Sequence, residues 1–88
     1  MNNHADITLQ PYISRAIRVQ AIRCERSLTQ VRRQAGYAPT TFGERLKGTK
    51  AWNMEDIDRL AKALGMSDGW ALYDVARHEA ELANGALY

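Results

Sequence analysis

From Ile13 onward, apolar residues return at three- and four-residue intervals: Ile13, Ala16, Ile17, Val19, Ala21, Ile22 and Cys24, with arginines between them. Such spacing puts one apolar stripe on a 3.6-residue turn and predicts an amphipathic helix over 13–25. Pro11 suits its first turn, where no amide donor is needed. Ser27-Leu-Thr-Gln30 predicts the next start. There the serine hydroxyl can accept from the Gln30 amide while the Gln30 side chain reaches back. This second helix runs to about Ala35, and Gly36 suits the left-handed residue that closes it. Pro39 pre-sets a third helix with Ala38 as a weak cap. Phe42 and Leu46, four apart, form its inward stripe, and Gly48 ends it. Thr49 to Trp52 reads as a loop. Asn53, with Glu55 and Asp56 behind it, is a cap with acids in the first turn. The fourth helix it opens buries Met54, Ile57, Leu60, Ala61 and Leu64 before Gly65. Ser67 and Asp68 begin a fifth, with Trp70, Ala71, Leu72, Tyr73, Val75, Ala76 and Leu82, fraying near Asn84-Gly85. No strand pattern, internal repeat or low-complexity segment is present. The expected fold is all-α: a compact five-helix bundle forming one domain over 1–88, with a helical core at 13–83 and flexible ends at 1–10 and 84–88.

Length narrows the function. In 88 residues a chain cannot easily house both a deep catalytic pocket and the core to support it, which favours binding over catalysis. At 45% hydrophobic and 25% charged the composition is that of an ordinary soluble globule, and no apolar run approaches the roughly 20 residues of a bilayer span. The opening MNNHADITLQ has neither a basic start nor an apolar stretch, so a cytoplasmic protein without a secretory leader is expected. Cys24 stands alone and can form neither an internal disulfide nor a zinc site; a small packed or half-exposed residue is the plain reading. His4 and His78 lack partners at metal spacing and are expected on the surface. Asp56 and Asp58, two apart on a helix, point away from each other. No Ser-His-Asp or Cys-His set or phosphate-cradling glycine loop occurs. The chain is therefore expected not to be an enzyme, and to need no cofactor, metal or small-molecule ligand.

Charge is divided unevenly. Between Arg15 and Lys50 nine basic residues face two acidic ones, a net of +7, whereas from Ala51 onward three basic residues face seven acidic, a net of −4; Asp6 completes the overall +2. A basic half beside an acidic half suggests one surface for a polyanion, although a charge run alone is more often a solvated face.

The third helix sharpens that suggestion. With Phe42 and Leu46 turned inward, Thr40, Thr41, Glu44, Arg45 and Lys47 face solvent along roughly one side, and Gly43 with them. Glycine on an exposed helix face costs about 1 kcal/mol relative to alanine, so close approach of a surface such as DNA is a reason for it. A short helix, a glycine turn and a second short helix are how a helix-turn-helix offers its side chains to the major groove. Arg45 can fork onto guanine, the threonines can meet base edges or a thymine methyl, Glu44 can accept from cytosine, and Lys47 completes the base-contacting set. Glu44 can instead orient Arg45. Thr49, Lys50 and Asn53 after the helix, and Thr29 and Gln30 at the start of helix two, suit phosphates. Arg33 joins the phosphate set; for it and Arg32 the rival is solvated surface. Trp52 either plugs the core or stacks near the backbone, and large aromatics favour burial.

With these residues placed, the chain resembles the lambda-repressor-like helix-turn-helix family of Cro type. The resemblance covers about 19–73. Ser27-Leu-Thr-Gln-Val31 is similar to the family's second-helix start, Ala35-Gly36-Tyr37 to its turn, and 39–48 to its recognition helix and elbow; 54–66 is similar to its fourth helix. The resemblance implies a DNA-binding transcriptional regulator, a repressor of phage type acting by operator occupancy, with Pro39–Lys47 in the major groove. It implies base-reading roles for Thr40, Thr41, Glu44 and Lys47, and phosphate contacts for Thr29, Lys50 and Asn53. Family members bind two-fold operators as dimers, which makes Trp70, Tyr73 and Leu82 on helix five candidates for the dimer contact; capping the monomer core is their alternative. Two rival functions are an antitoxin whose acidic C-terminal helix masks a toxin, and a helix-turn-helix module serving only protein contacts.

Overall fold

The computed structural model describes the backbone of residues 4–84 and the side chains of 9–84. Within that span the chain forms five helices and no strand: α1 (His4–Arg23), α2 (Leu28–Ala35), α3 (Pro39–Lys47), α4 (Met54–Ala63) and α5 (Gly69–Ala83).

α1 starts well before the expected Ile13. Pro11 lies inside it rather than at its start, and 4–10 are helical rather than flexible. A proline in mid-helix removes one amide donor and crowds the preceding turn, but Pro11 is exposed and the turn before it is anchored. Gln10 supplies the anchor: its Nε2 donates to the Trp52 carbonyl at 3.0 Å and its Oε1 accepts from the Trp52 amide at 2.7 Å. The expectations for residues 1–3 and 85–88 lie outside the described residues, as does the side chain of His4. At its other end α1 stops at Arg23, and Glu25 takes a left-handed φ of 57°. There the Arg26 amide reaches the Ala21 carbonyl, and the Arg26 guanidinium donates to the Ala63 carbonyl at the end of α4.

The short helices are set by local chemistry. Ser27 and Gln30 close a reciprocal capping box, with the Ser27 hydroxyl 3.0 Å from the Gln30 amide and the Gln30 Oε1 2.7 Å from the Ser27 amide. α2 ends at Gly36, whose φ of 84° is one that side chains avoid. Pro39 opens α3 with no side-chain cap from Ala38. A second reciprocal box, Asn53 with Asp56, opens α4, and Asp68 caps α5 by accepting from the Ala71 amide at 3.1 Å.

α1 packs chiefly on α5, α4 lies on α5, α2 on α4, and α3 against α1. The shared core is built from Ile13, Ile17, Val31, Leu60, Leu64 and Leu72, with Ala16, Ala61 and Ala76 fully buried among them. Met54, expected on the buried face of α4, is exposed instead, and so is Ile22 on α1. Both sit at helix ends, Met54 as the first residue of α4 and Ile22 as the last but one of α1. The start of α5 approaches α4 so closely that a Cβ on Gly69 would lie 3.1 Å from the Asp58 backbone.

Under α3 lies an aromatic triad of Tyr37, Phe42 and Trp52, with ring centroids 5.9 to 6.4 Å apart. The tilted and edge-on arrangement places positive ring edges toward negative faces. Trp52 is 3% exposed and donates through Nε1 to the Ser14 hydroxyl at 2.9 Å. It is a core residue, as its size favoured.

Candidate nucleic-acid interface

α3 is held from three directions. Phe42 anchors it in the aromatic triad, the Ser14 hydroxyl donates to the Arg45 carbonyl at 3.3 Å, and Gly48 closes it with a φ of 93°. Fixing the inner side in this way leaves Thr40, Gly43, Glu44 and Lys47 along the outer one, at three- and four-residue spacings. Thr40 and Lys47 are exposed; Thr41, Gly43 and Glu44 are partly covered. Gly43 has nothing within 4 Å of where a Cβ would stand and no unusual φ. Nothing within the fold therefore calls for glycine there.

Arg45 departs from expectation. Rather than standing free on the outer face it turns under α3, where its Nε lies 3.3 Å from Asp56 Oδ2, with side chains 23% and 7% exposed. The approach is an ion pair without hydrogen-bond alignment. Asp56, not Glu44, orients it. The same carboxylate accepts the Asn53 amide at 2.9 Å and the Tyr37 hydroxyl, so three donors or charges compensate one buried anion. Such compensation is what makes burial of the charge tolerable. Tyr37 responds in turn: burial, then its hydrogen bond to the Asp56 carboxylate, pushes its phenol well above the ordinary tyrosine range, against smaller opposing effects of Arg59 and Arg45. The Arg59 guanidinium lies 4.8 Å from the centre of the Tyr37 ring.

The phosphate candidates fall into two groups. Thr29, Arg33 and Lys50 are exposed. Gln30, Thr49 and Asn53 are also exposed but partly committed. Gln30 Oε1 and Asn53 Oδ1 are taken by their capping boxes, leaving the amide NH₂ groups, and the Thr49 hydroxyl donates to the Glu44 carbonyl at 2.9 Å. Arg32 takes neither expected course: its Nη1 donates to the Tyr37 carbonyl at 2.8 Å and staples the turn between α2 and α3.

Beyond α3 the surface continues into a groove of about 610 Å³ between α1 and the loop after α3. Arg15, Arg18, Lys47 and Lys50 line it. The contribution of α1 is absent from the expected site. Its sequence signals are the three-residue spacing of Arg15 and Arg18 on the polar side of the helix and their place in the basic half of the chain.

On another side, Met54, Trp70 and Tyr73 border a second groove of about 680 Å³, which Ile13, Trp52 and Ile57 also line. Trp70 is 65% exposed and stacks edge-on against Tyr73 at 6.1 Å; Leu82 is exposed further along α5. Among the described residues no helix is long and apolar enough to cross a membrane. Compared with known protein families, with curated proteins and with solved structures, the chain matches none of them.

Proposed function

We propose that this chain is a sequence-specific double-stranded DNA-binding regulator of transcription, acting in the cytoplasm by occupying an operator in the manner of a phage repressor. In this reading α2 and α3 form a helix-turn-helix and α3 lies in the major groove. One observation carries it. The outer side of α3 combines short polar side chains, an alkyl-free Gly43 with open space around it, and Lys47 at the edge of a basic groove. Thr40, Thr41 and Glu44 then meet base edges, while Lys50, Thr29 and Arg33 meet phosphates. Arg45 acts from behind, holding the end of α3 through Asp56. The exposed Trp70 and Leu82 on α5 support a homodimer on a two-fold operator.

Selection of bound sites from a random duplex pool, followed by affinity measurements across salt concentrations, tests the reading. Thr40→Ala is expected to lose discrimination at one base pair by about 1 to 3 kcal/mol, and Lys50→Ala to weaken all sequences alike and flatten the salt slope by about one unit. Failure to enrich any site, together with no salt-dependent affinity for duplex, would remove the proposal.

A second reading has one observation in its favour, the apolar groove beside Trp70 next to an α5 carrying Asp74, Glu79 and Glu81. This is the antitoxin, in which the same domain represses its own promoter while α5 covers a toxin. Copurification of a stoichiometric partner that Trp70→Glu releases distinguishes it from a homodimer.

A further inference from the structure

The groove between α1 and the loop after α3 is lined by five cationic side chains. Arg15, Arg18, Arg45, Lys47 and Lys50 line it, and no carboxylate does. Arg45 is offset by Asp56, but among the described residues Arg15, Arg18, Lys47 and Lys50 form no ion pair. Arg15 lies 5.5 Å from the centre of the Tyr12 ring, but no carboxylate offsets any of the four, so they repel each other around one concavity and focus a positive potential into it. An anionic occupant relieves both.

The walls are fixed before anything binds. Gln10 grips the Trp52 backbone through both its amide atoms, and Ser14 bridges the Trp52 indole to the Arg45 carbonyl. These bonds run from α1 to the segment that carries Lys47 and Lys50, so the two cationic walls keep their separation. A ligand that enters does not have to order the loop, a cost that weakens binding at mobile sites.

The lining also says which polyanion. Its apolar members are Pro11, Leu46 and Ala51, with no aromatic ring on which an unpaired base could stack. Lys47 belongs both to this groove and to the outer stripe of α3, three residues beyond Glu44. A phosphodiester strand passing the end of α3 therefore continues into the groove without a break in positive charge.

We propose that this groove is a phosphodiester-binding site, in which Arg15 and Arg18 of α1 join Lys47 and Lys50 to hold one backbone strand of duplex DNA. The proposal rests on the DNA-binding reading above and adds α1 to the contact surface. Arg15 and Arg18 fix position and affinity there without reading sequence.

The test compares the unaltered chain, the Arg15→Gln/Arg18→Gln double variant and Thr40→Ala on a selected duplex, on a random-sequence duplex pool and on poly-glutamate, across a salt series. Loss of both arginines is expected to reduce the slope of log affinity against log salt by about 1.8, equivalent to roughly 60-fold weaker binding at about 0.1 M salt. The preference for selected over random duplex should stay as it was. An Arg15→Lys/Arg18→Lys variant should recover most of the slope, because charge rather than geometry is what these positions supply. Thr40→Ala should do the reverse, changing the preference and sparing the slope. Both arginines are exposed, and Arg15 loses only its contact with the Tyr12 ring, so the double variant should unfold within a few degrees of the unaltered chain. An unchanged slope in a double variant that still binds duplex would overturn the groove while leaving α3 as the reader. Loss of poly-glutamate binding with duplex affinity intact would also overturn it and assign the groove to an acidic protein segment. Absence of any salt-dependent duplex affinity in the unaltered chain would remove the DNA-binding reading and this proposal with it.

Discussion

Arg45 and Asp56 meet at 3.3 Å beneath α3, and their pairing fastens the end of that helix to the first turn of α4. The Asp56 carboxylate also accepts the Asn53 amide and the Tyr37 hydroxyl, so it holds a helix cap, the turn after α2 and α3 at once. Asp56→Ala removes all three and leaves a half-buried arginine, its Nε out of reach of water, facing no anion. A loss of about 2 to 3 kcal/mol is expected, toward the lower end for a buried pair because Arg45 keeps some exposure. Urea unfolding measures it directly, and a loss below about 0.5 kcal/mol, the range of an ordinary surface substitution, would show that the carboxylate is dispensable.

Gly43 separates folding from binding. With open space at its Cβ position and helical geometry, Gly43→Ala should stabilise the chain by about 1 kcal/mol. If α3 lies against DNA, the added methyl group should at the same time lower duplex affinity. Thermal melts and gel shifts on one preparation decide the matter. A variant that gains stability and binds duplex as well as before would mean that no surface comes close to this face.

Glu25 is the one described non-glycine residue with a left-handed backbone, at φ 57°. Holding a side chain there costs about 1 to 2 kcal/mol, part of which glycine gives back through its freer unfolded chain. Glu25→Gly should therefore gain about 0.5 to 1 kcal/mol, and the melting temperature should rise by about 4 °C. A fall in melting temperature would show that the Glu25 side chain supplies more than the strain it carries.

Tyr37 predicts a pH dependence at the alkaline end. Its phenol titrates above the unfolded value because burial and the Asp56 carboxylate both disfavour the phenolate. A group whose folded pKa is raised contributes stability in full below its unfolded pKa, near 10 for tyrosine, and loses that contribution as pH rises further. The stability difference between the unaltered chain and Tyr37→Phe should hold steady to about pH 10 and shrink above it. Urea midpoints taken across that range, with tyrosinate absorbance followed in parallel, check the sign; a difference that widened with pH would refute it.

The parts legible in the sequence were those decided within one turn of chain. Ser27 with Gln30, Gly36, Gly48 and the Asn53 cap each set a boundary through atoms three or four residues apart, and each appears where its chemistry put it. Trp52 was legible from size alone. Pro11 misled because its preference for a first turn outweighs, in sequence, a Gln10 contact made across the fold to Trp52. Met54 fits the apolar period of α4 yet lies exposed, since periodicity marks a face and not how far the partner helix extends. The position of Arg45 and the convergence of Arg15 with Lys50 depend on how α1 crosses α3, which no local pattern specifies.

The two tryptophans stand in opposite surroundings, Trp52 sealed at 3% exposure in the aromatic triad and Trp70 open at 65% on α5. Fluorescence can consequently follow two events in the unlabelled chain. Iodide is expected to quench Trp70 and spare Trp52, so a quenched spectrum should isolate the indole hydrogen-bonded to Ser14 and report on the joint between α1 and the loop after α3. Unquenched intensity adds whatever covers α5. An oligomer forming through α5 would shield the outer emitter, whereas a ligand filling the basic groove, which Trp70 does not line, would leave that emitter open to iodide, so the two binding events differ in their optical signature.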